Sequence, residues 1–135
     1  MEYLENSKFL ITIEMIEHII GGNRGFDIIA TTQDKKTIKI SFDHVCDFRY
    51  AIENAWIVRY ADFNKKHVHH NSSILLVKNS EFIEHYAKHA CGTMPIDTIK
   101  DYLINDSVDA AVEVLTDSDP VVTELQVINS SDREL

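Results

Sequence analysis

No apolar run in this sequence reaches the roughly 18 residues that a membrane-spanning helix needs, and the N-terminus lacks the basic, apolar and small-residue succession of an export signal. The expectation is a soluble, cytoplasmic protein. Cysteine is almost missing too: Cys46 and Cys91 are the whole supply. A chain of 135 residues with 44% apolar side chains can bury a core without a disulfide, so both read as reduced, small hydrophobes. Glycine and proline are equally sparse, at four and two. Three of the glycines fall in one stretch, "GGNRG", which breaks the chain between Gly21 and Gly25. It is not a phosphate cradle, because the spacing is wrong for a Walker loop and no G-K-[ST] follows. Internal repeats and low-complexity segments are also lacking, and one domain over residues 1–128 is expected, with a disordered tail at 129–135.

Basic residues are scarce in one region only. From Met1 to Ile96 there are 12 acids and 11 bases, whereas Asp97 to Leu135 holds ten acids against Lys100 and Arg133. Nearly all of the net charge of −9 therefore belongs to the last third. Such a field repels nucleic acid and attracts cationic partners, with association fastest at low salt.

What is present is mostly strand pattern. "KFLITIEMIE" places Phe9, Ile11, Ile13 and Met15 on one parity, while a helix through Ile13, Ile16 and Ile20 competes with that reading. "FDIIATT" and "TIKISF" flank "QDKK" and predict a hairpin over residues 26–42, with Ile38, Ile40 and Phe42 facing a core. Within Asp43–Phe63 both a helical turn capped by Asp43 and a strand remain open, so a second helical segment inside 43–63 is one expectation. "SILLVK" predicts a strand. It feeds a helix over about 80–91, capped by Asn79 or Ser80 and closed by Gly92, with Phe82, Ile83, Tyr86 and Ala90 as its buried stripe. "TIKDYLIND" and "DAAVEVLT" then predict a second hairpin joined at "SV", with a bulge near Ile99, Leu103 and Ile104, and "VVTELQVI" adds an edge strand. Strands in series with one or two helices, without βαβ alternation, predict an α+β fold with a mostly antiparallel sheet.

Chemistry-bearing residues are few. "HVHH" sets His67 and His69 on one side of an extended chain and His70 on the other, beside Lys65 and Lys66, which oppose a cation. His85 and His89 stand at i and i+4 with Glu81 one turn back, but Tyr86 follows His85, so the H-E-x-x-H pattern fails. No serine lies in G-x-S-x-G. The reading is therefore no catalytic set, no metal and no cofactor. Arg49 and Glu53 suit an i, i+4 ion pair if their segment is helical. The C-terminal acids remain. Asp101, Asp106, Asp109, Glu113, Asp117 and Asp119 line the second hairpin and its exit beside Tyr102, and as one patch they would suit a cationic protein partner.

The succession "SFDHVCDFRYAIENAW", "SSILLVKNSEFIEHY" and "IKDYLINDSVDAAVEVLT", from about Ser41 to Val122, resembles small bacterial immunity proteins of contact-dependent and polymorphic toxin systems. The resemblance lies in general texture and carries no site motif across. It implies a cytoplasmic antidote that binds one toxin domain and blocks its active site. Many such toxins are cationic nucleases, against which an acidic surface would stand where phosphate sits. Two other classes stay in view: a metal-dependent enzyme built on His85, His89 and a loop histidine, and a self-associating structural protein using Trp56 and its aromatic neighbours.

Overall fold

Alternation is strictest in "TIKISF", where Ile38, Ile40 and Phe42 are buried while Thr37, Lys39 and Ser41 are half-buried. That period of two is what a strand with one covered face requires. The computed structural model describes residues 2–22, 25–52, 72–89, 96–108 and 110–125. Within these lie β1 (Tyr3–Asn6), β2 (Ile13–Gly22), β3 (Gly25–Thr32), β4 (Thr37–Phe42), β5 (Asp47–Ala51) and β6 (Ile74–Lys78). Helix α1 (Glu81–His89), a 3₁₀ turn (Ile96–Thr98), β7 (Lys100–Asn105), β8 (Ala111–Thr116) and β9 (Val121–Leu125) follow. All pairings are antiparallel. The strands form a five-stranded sheet, β1-β6-β7-β8-β5, and a four-stranded sheet, β2-β3-β4-β9. The fold is α+β.

The two sheets face each other across one apolar layer. Ile13, Phe26, Ile28, Ala30, Ile38, Ile40 and Phe42 of the smaller sheet meet Ile74, Tyr102, Ile104, Val112 and Val114 of the larger. Each fully buried Ile or Phe contributes about 1.5–3 kcal/mol relative to exposure, so this layer dominates the fold. The larger sheet is covered on its second face as well. Leu4, Leu75, Val77, Leu103 and Ala111 cluster there, and beside them Phe82 of α1 packs on Ile99 and Leu115.

Strand β2 departs from the expected parity. Its register slips between Ile13 and Met15 and again between Ile16 and His18, so at each bulge two of its residues span one of β3. The bulges turn Ile13, Ile16 and Ile19 toward the core at a spacing of three and leave Met15 42% exposed. This spacing is why a helix competed for the same residues. Ahead of β2, residues 7–12 are irregular: Ser72 Oγ donates to the Phe9 carbonyl at 2.5 Å, and Ser73 Oγ accepts from Ile13 N–H at 2.8 Å. The β2–β3 hairpin closes where Gly21 (φ +110°) faces Phe26, and a Cβ at Gly21 would lie 1.9 Å from the Gly25 carbonyl oxygen.

The helical reading of 43–63 is corrected where the structure describes it: residues 43–46 are irregular and Asp47–Ala51 form β5. The aromatic residues of that strand, Phe48 and Tyr50, favour a pleated surface once β8 supplies a ladder. Residues 53–63, including Glu53 and Trp56, lie outside the described set, as do Cys91, Gly92, "HVHH" and the tail. The second hairpin is also longer than expected at its tip, since β7 ends at Asn105 and β8 begins at Ala111, and its ladder runs without a bulge. The uneven inward spacing arises because both faces are covered: Ile104 joins the layer between the sheets and Leu103 the opposite face.

Ser80 caps α1, its hydroxyl accepting from Ile83 N–H at 3.0 Å, while Asn79 takes positive φ at the turn. Among the described residues no helix is long and apolar enough to cross a membrane.

Candidate partner-binding surface

The C-terminal acids do not form one patch. β7 and β8 are interior strands of the larger sheet, and a strand covered on both faces has no solvated parity. Asp101, Tyr102 and Glu113 are accordingly 1%, 2% and 3% exposed. Each has an internal task. Asp101 accepts the Ser80 hydroxyl at 2.5 Å, tying the helix cap to β7. Glu113 accepts from Arg49 Nε at 2.9 Å and Nη2 at 2.8 Å, and the guanidinium lies 4.3 Å from the Phe82 ring centre. Arg49 thus pairs across the strands, not with Glu53 along a helix. Asp106 accepts from the N–H groups of Ile16, Val108 and Ala110 at 2.9, 3.1 and 2.9 Å and shapes the tip of the hairpin. Asp109 lies outside the described residues.

Tyr102 and Asp119 share the most polarised contact. Asp119 accepts from Tyr102 Oη and Lys100 Nζ, both at 2.6 Å, and from Lys8 Nζ at 3.1 Å. The hydrogen bond from Lys100, then those from Tyr102 and Lys8, hold the Asp119 carboxyl far below the usual range. Burial, then the bond to Asp119, pushes the Tyr102 phenol far up. Asp119 is thereby spent on fixing the β8–β9 crossover.

Of the expected patch, Asp117 is the described acid that is exposed. Its carboxylate lies 3.3 Å from His44 Nδ1 and, with Asp47, bears on the thiol of Cys46. Asp43 and Asp47 are exposed close by in sequence. Burial pushes the Cys46 thiol up; a hydrogen bond with Tyr86 opposes this, and the fields of Asp117 and Asp47 add to it.

The strand that carries Asp47 also carries an apolar strip on its opposite face. Among the described residues β5 is an edge strand, and Phe48, Tyr50 and the following Ile52 are 43%, 52% and 57% exposed. Phe48 and Tyr50 stand opposite Val114 and Val112, so they share the face turned toward the smaller sheet. There Phe48 touches Phe26, ring centres 4.8 Å apart. Asp47 and Arg49 take the other face. The signal was legible in "DFRYAI", where apolar and charged residues alternate. Equally, Asp101 and Glu113 embedded in apolar runs mark acids with internal partners.

The helix histidines stand apart from this strip. His85 and His89 are exposed, with ring centres 4.4 Å apart, and His89 Nδ1 donates to the His85 carbonyl at 2.8 Å. Among the described residues no group of three or more His, Cys, Asp or Glu converges on a metal-sized site. In comparisons with known proteins, no family model, no curated protein and no solved structure matches the chain.

Proposed function

We propose that this protein is an antidote that neutralises a cationic toxin domain by binding it, and that the contact is the β5 edge with its flanking carboxylates. The observation that carries the reading is that β5 turns exposed Phe48 and Tyr50, followed by exposed Ile52, to one face and exposed Asp47 to the other, with exposed Asp117 acting on Cys46 just ahead of the strand. Partner sites combine apolar anchors, aromatics above all, with a charged rim that steers the encounter. The resemblance of residues 41–122 to immunity proteins supports the same reading. The negative surface is smaller than the net charge suggests, because Asp101, Glu113 and Asp119 are engaged internally.

Sequencing the adjacent reading frame for a cationic domain, and co-expressing any such domain with this chain, tests the proposal. Cells carrying both should survive, and the purified proteins should bind with an association rate that falls as salt rises. Asp43→Asn, Asp47→Asn and Asp117→Asn combined should slow association about tenfold and flatten its salt dependence. Unchanged kinetics would remove the electrostatic part of the reading. Death of the cells, with no complex formed, would remove the whole.

A further inference from the structure

The ladder determines what β5 offers on its outer side. Asp106 N–H donates to the Ala110 carbonyl on the β8 side at 3.0 Å, while Asn105 N–H donates to the Ser73 carbonyl on the β6 side at 3.0 Å, so even-numbered residues of β7 turn their backbone groups to β8. Bonded and non-bonded pairs alternate along antiparallel strands, so Ile104–Val112 and Tyr102–Val114 are bonded as well. Ala111, Glu113 and Leu115 therefore turn their backbone groups to β5, where they meet Ala51, Arg49 and Asp47. The backbone N–H and C=O groups of Phe48 and Tyr50 point away from the sheet. Phe48 N–H confirms that direction, since it donates 2.8 Å to the Asp47 carboxylate.

We propose that β5 accepts an extended segment of its partner as an added strand, one that alternates apolar residues with a Lys or Arg placed against Asp47 and Asp117. The identity of the partner rests on the reading above; the mode of docking rests on the register. The incoming carbonyl takes the Phe48 N–H, which releases the Asp47 carboxylate to the incoming cation. Its apolar residues extend the exposed row of Phe48, Tyr50 and Ile52. The other edges are worse templates. β2 is bulged twice, β1 has four residues with Glu5 and Asn6 exposed, and β9 follows directly on Pro120. A second copy is disfavoured as occupant, because a two-fold centred on β5 would set Asp47 against Ala51 and offer its carboxylate no cation directly opposite.

The probe is a capped nine-residue peptide alternating Lys and Val, titrated into the ¹⁵N-labelled full chain, with a Glu-and-Val peptide as control. The largest amide shifts should fall on Phe48, Tyr50 and Ile52. Tyr50→Pro deletes an outward N–H and leaves the bonds to β8 in place; it should weaken the Lys peptide at least about tenfold while keeping the wild-type spectrum elsewhere. Shifts that map to another edge, equal binding of the Glu peptide, or full affinity in folded Tyr50→Pro would overturn the proposal. If Tyr50→Pro does not fold, the wild-type shift map alone decides. Neutralisation of the toxin domain by Tyr50→Pro at wild-type potency would overturn strand addition and spare the proposed function. A wild-type chain that binds the Lys peptide but no toxin domain would overturn that function alone.

Discussion

The centre of the larger sheet and its β5 edge use the same residue types in opposite ways. At the centre, Asp101, Tyr102 and Glu113 are closed off from water and each holds a named partner within the fold. At the edge, Asp47, Tyr50 and Asp117 face solvent. A carboxylate in a covered strand is retained for the hydrogen bonds it completes, since an unmatched buried charge costs several kcal/mol. A carboxylate on an edge shapes the field that an approaching molecule meets. Counting acids along the chain merges the two kinds.

The contrast is most sharply tested by one substitution made twice. Tyr102→Ala removes a buried ring and its bond to Asp119, and should cost about 3–5 kcal/mol of unfolding free energy. Tyr50→Ala should cost about 1 kcal/mol or less, because half of that side chain is already exposed. Urea denaturation of both variants checks this; equal losses would mean that the edge is as buried as the centre.

Acid titration separates the regions next. Asp119 ionises more readily in the folded chain than at its ordinary value of 3.8, through Lys100, Tyr102 and Lys8. A lowered folded value stabilises the fold at pH above 3.8, and that contribution is lost as pH falls toward the folded value. Between pH 5 and 2 the urea midpoint of the wild type should therefore drop more steeply than that of Asp119→Asn.

The smallest expected effect is local. Cys46 should alkylate more slowly than a free thiol at pH 8, because burial and then the fields of Asp117 and Asp47 outweigh its bond with Tyr86. Replacing both aspartates with Asn should speed iodoacetamide labelling by less than about tenfold. An unchanged rate would place those carboxylates too far away to influence the thiol.

Much of this architecture could be read before any coordinates, where local rules and tertiary context agree. The 26–42 hairpin follows from alternation around "QDKK", and α1 follows from the Ser80 cap and the Phe82 stripe. β1 escaped notice because four residues are too few to show a period. β2 was ambiguous because two bulges changed its period from two to three. The acids of β7 and β8 were assigned to the surface because charge carries no record of sheet order; only the pairing of β6 and β5 on either side makes those strands interior. Conversely, the exposed edge was written in "DFRYAI" but overlooked beside the larger charge excess further along.

Gly21 gives the fold a brittle point in an unexpected place. It is solvent-facing, so a survey of tolerated substitutions would be expected to pass over it. Yet with only 1.9 Å from a Cβ to the Gly25 oxygen, even alanine must pry the hairpin apart. A saturation library of this chain should therefore show a depleted column at Gly21, produced by backbone crowding together with its φ of +110°.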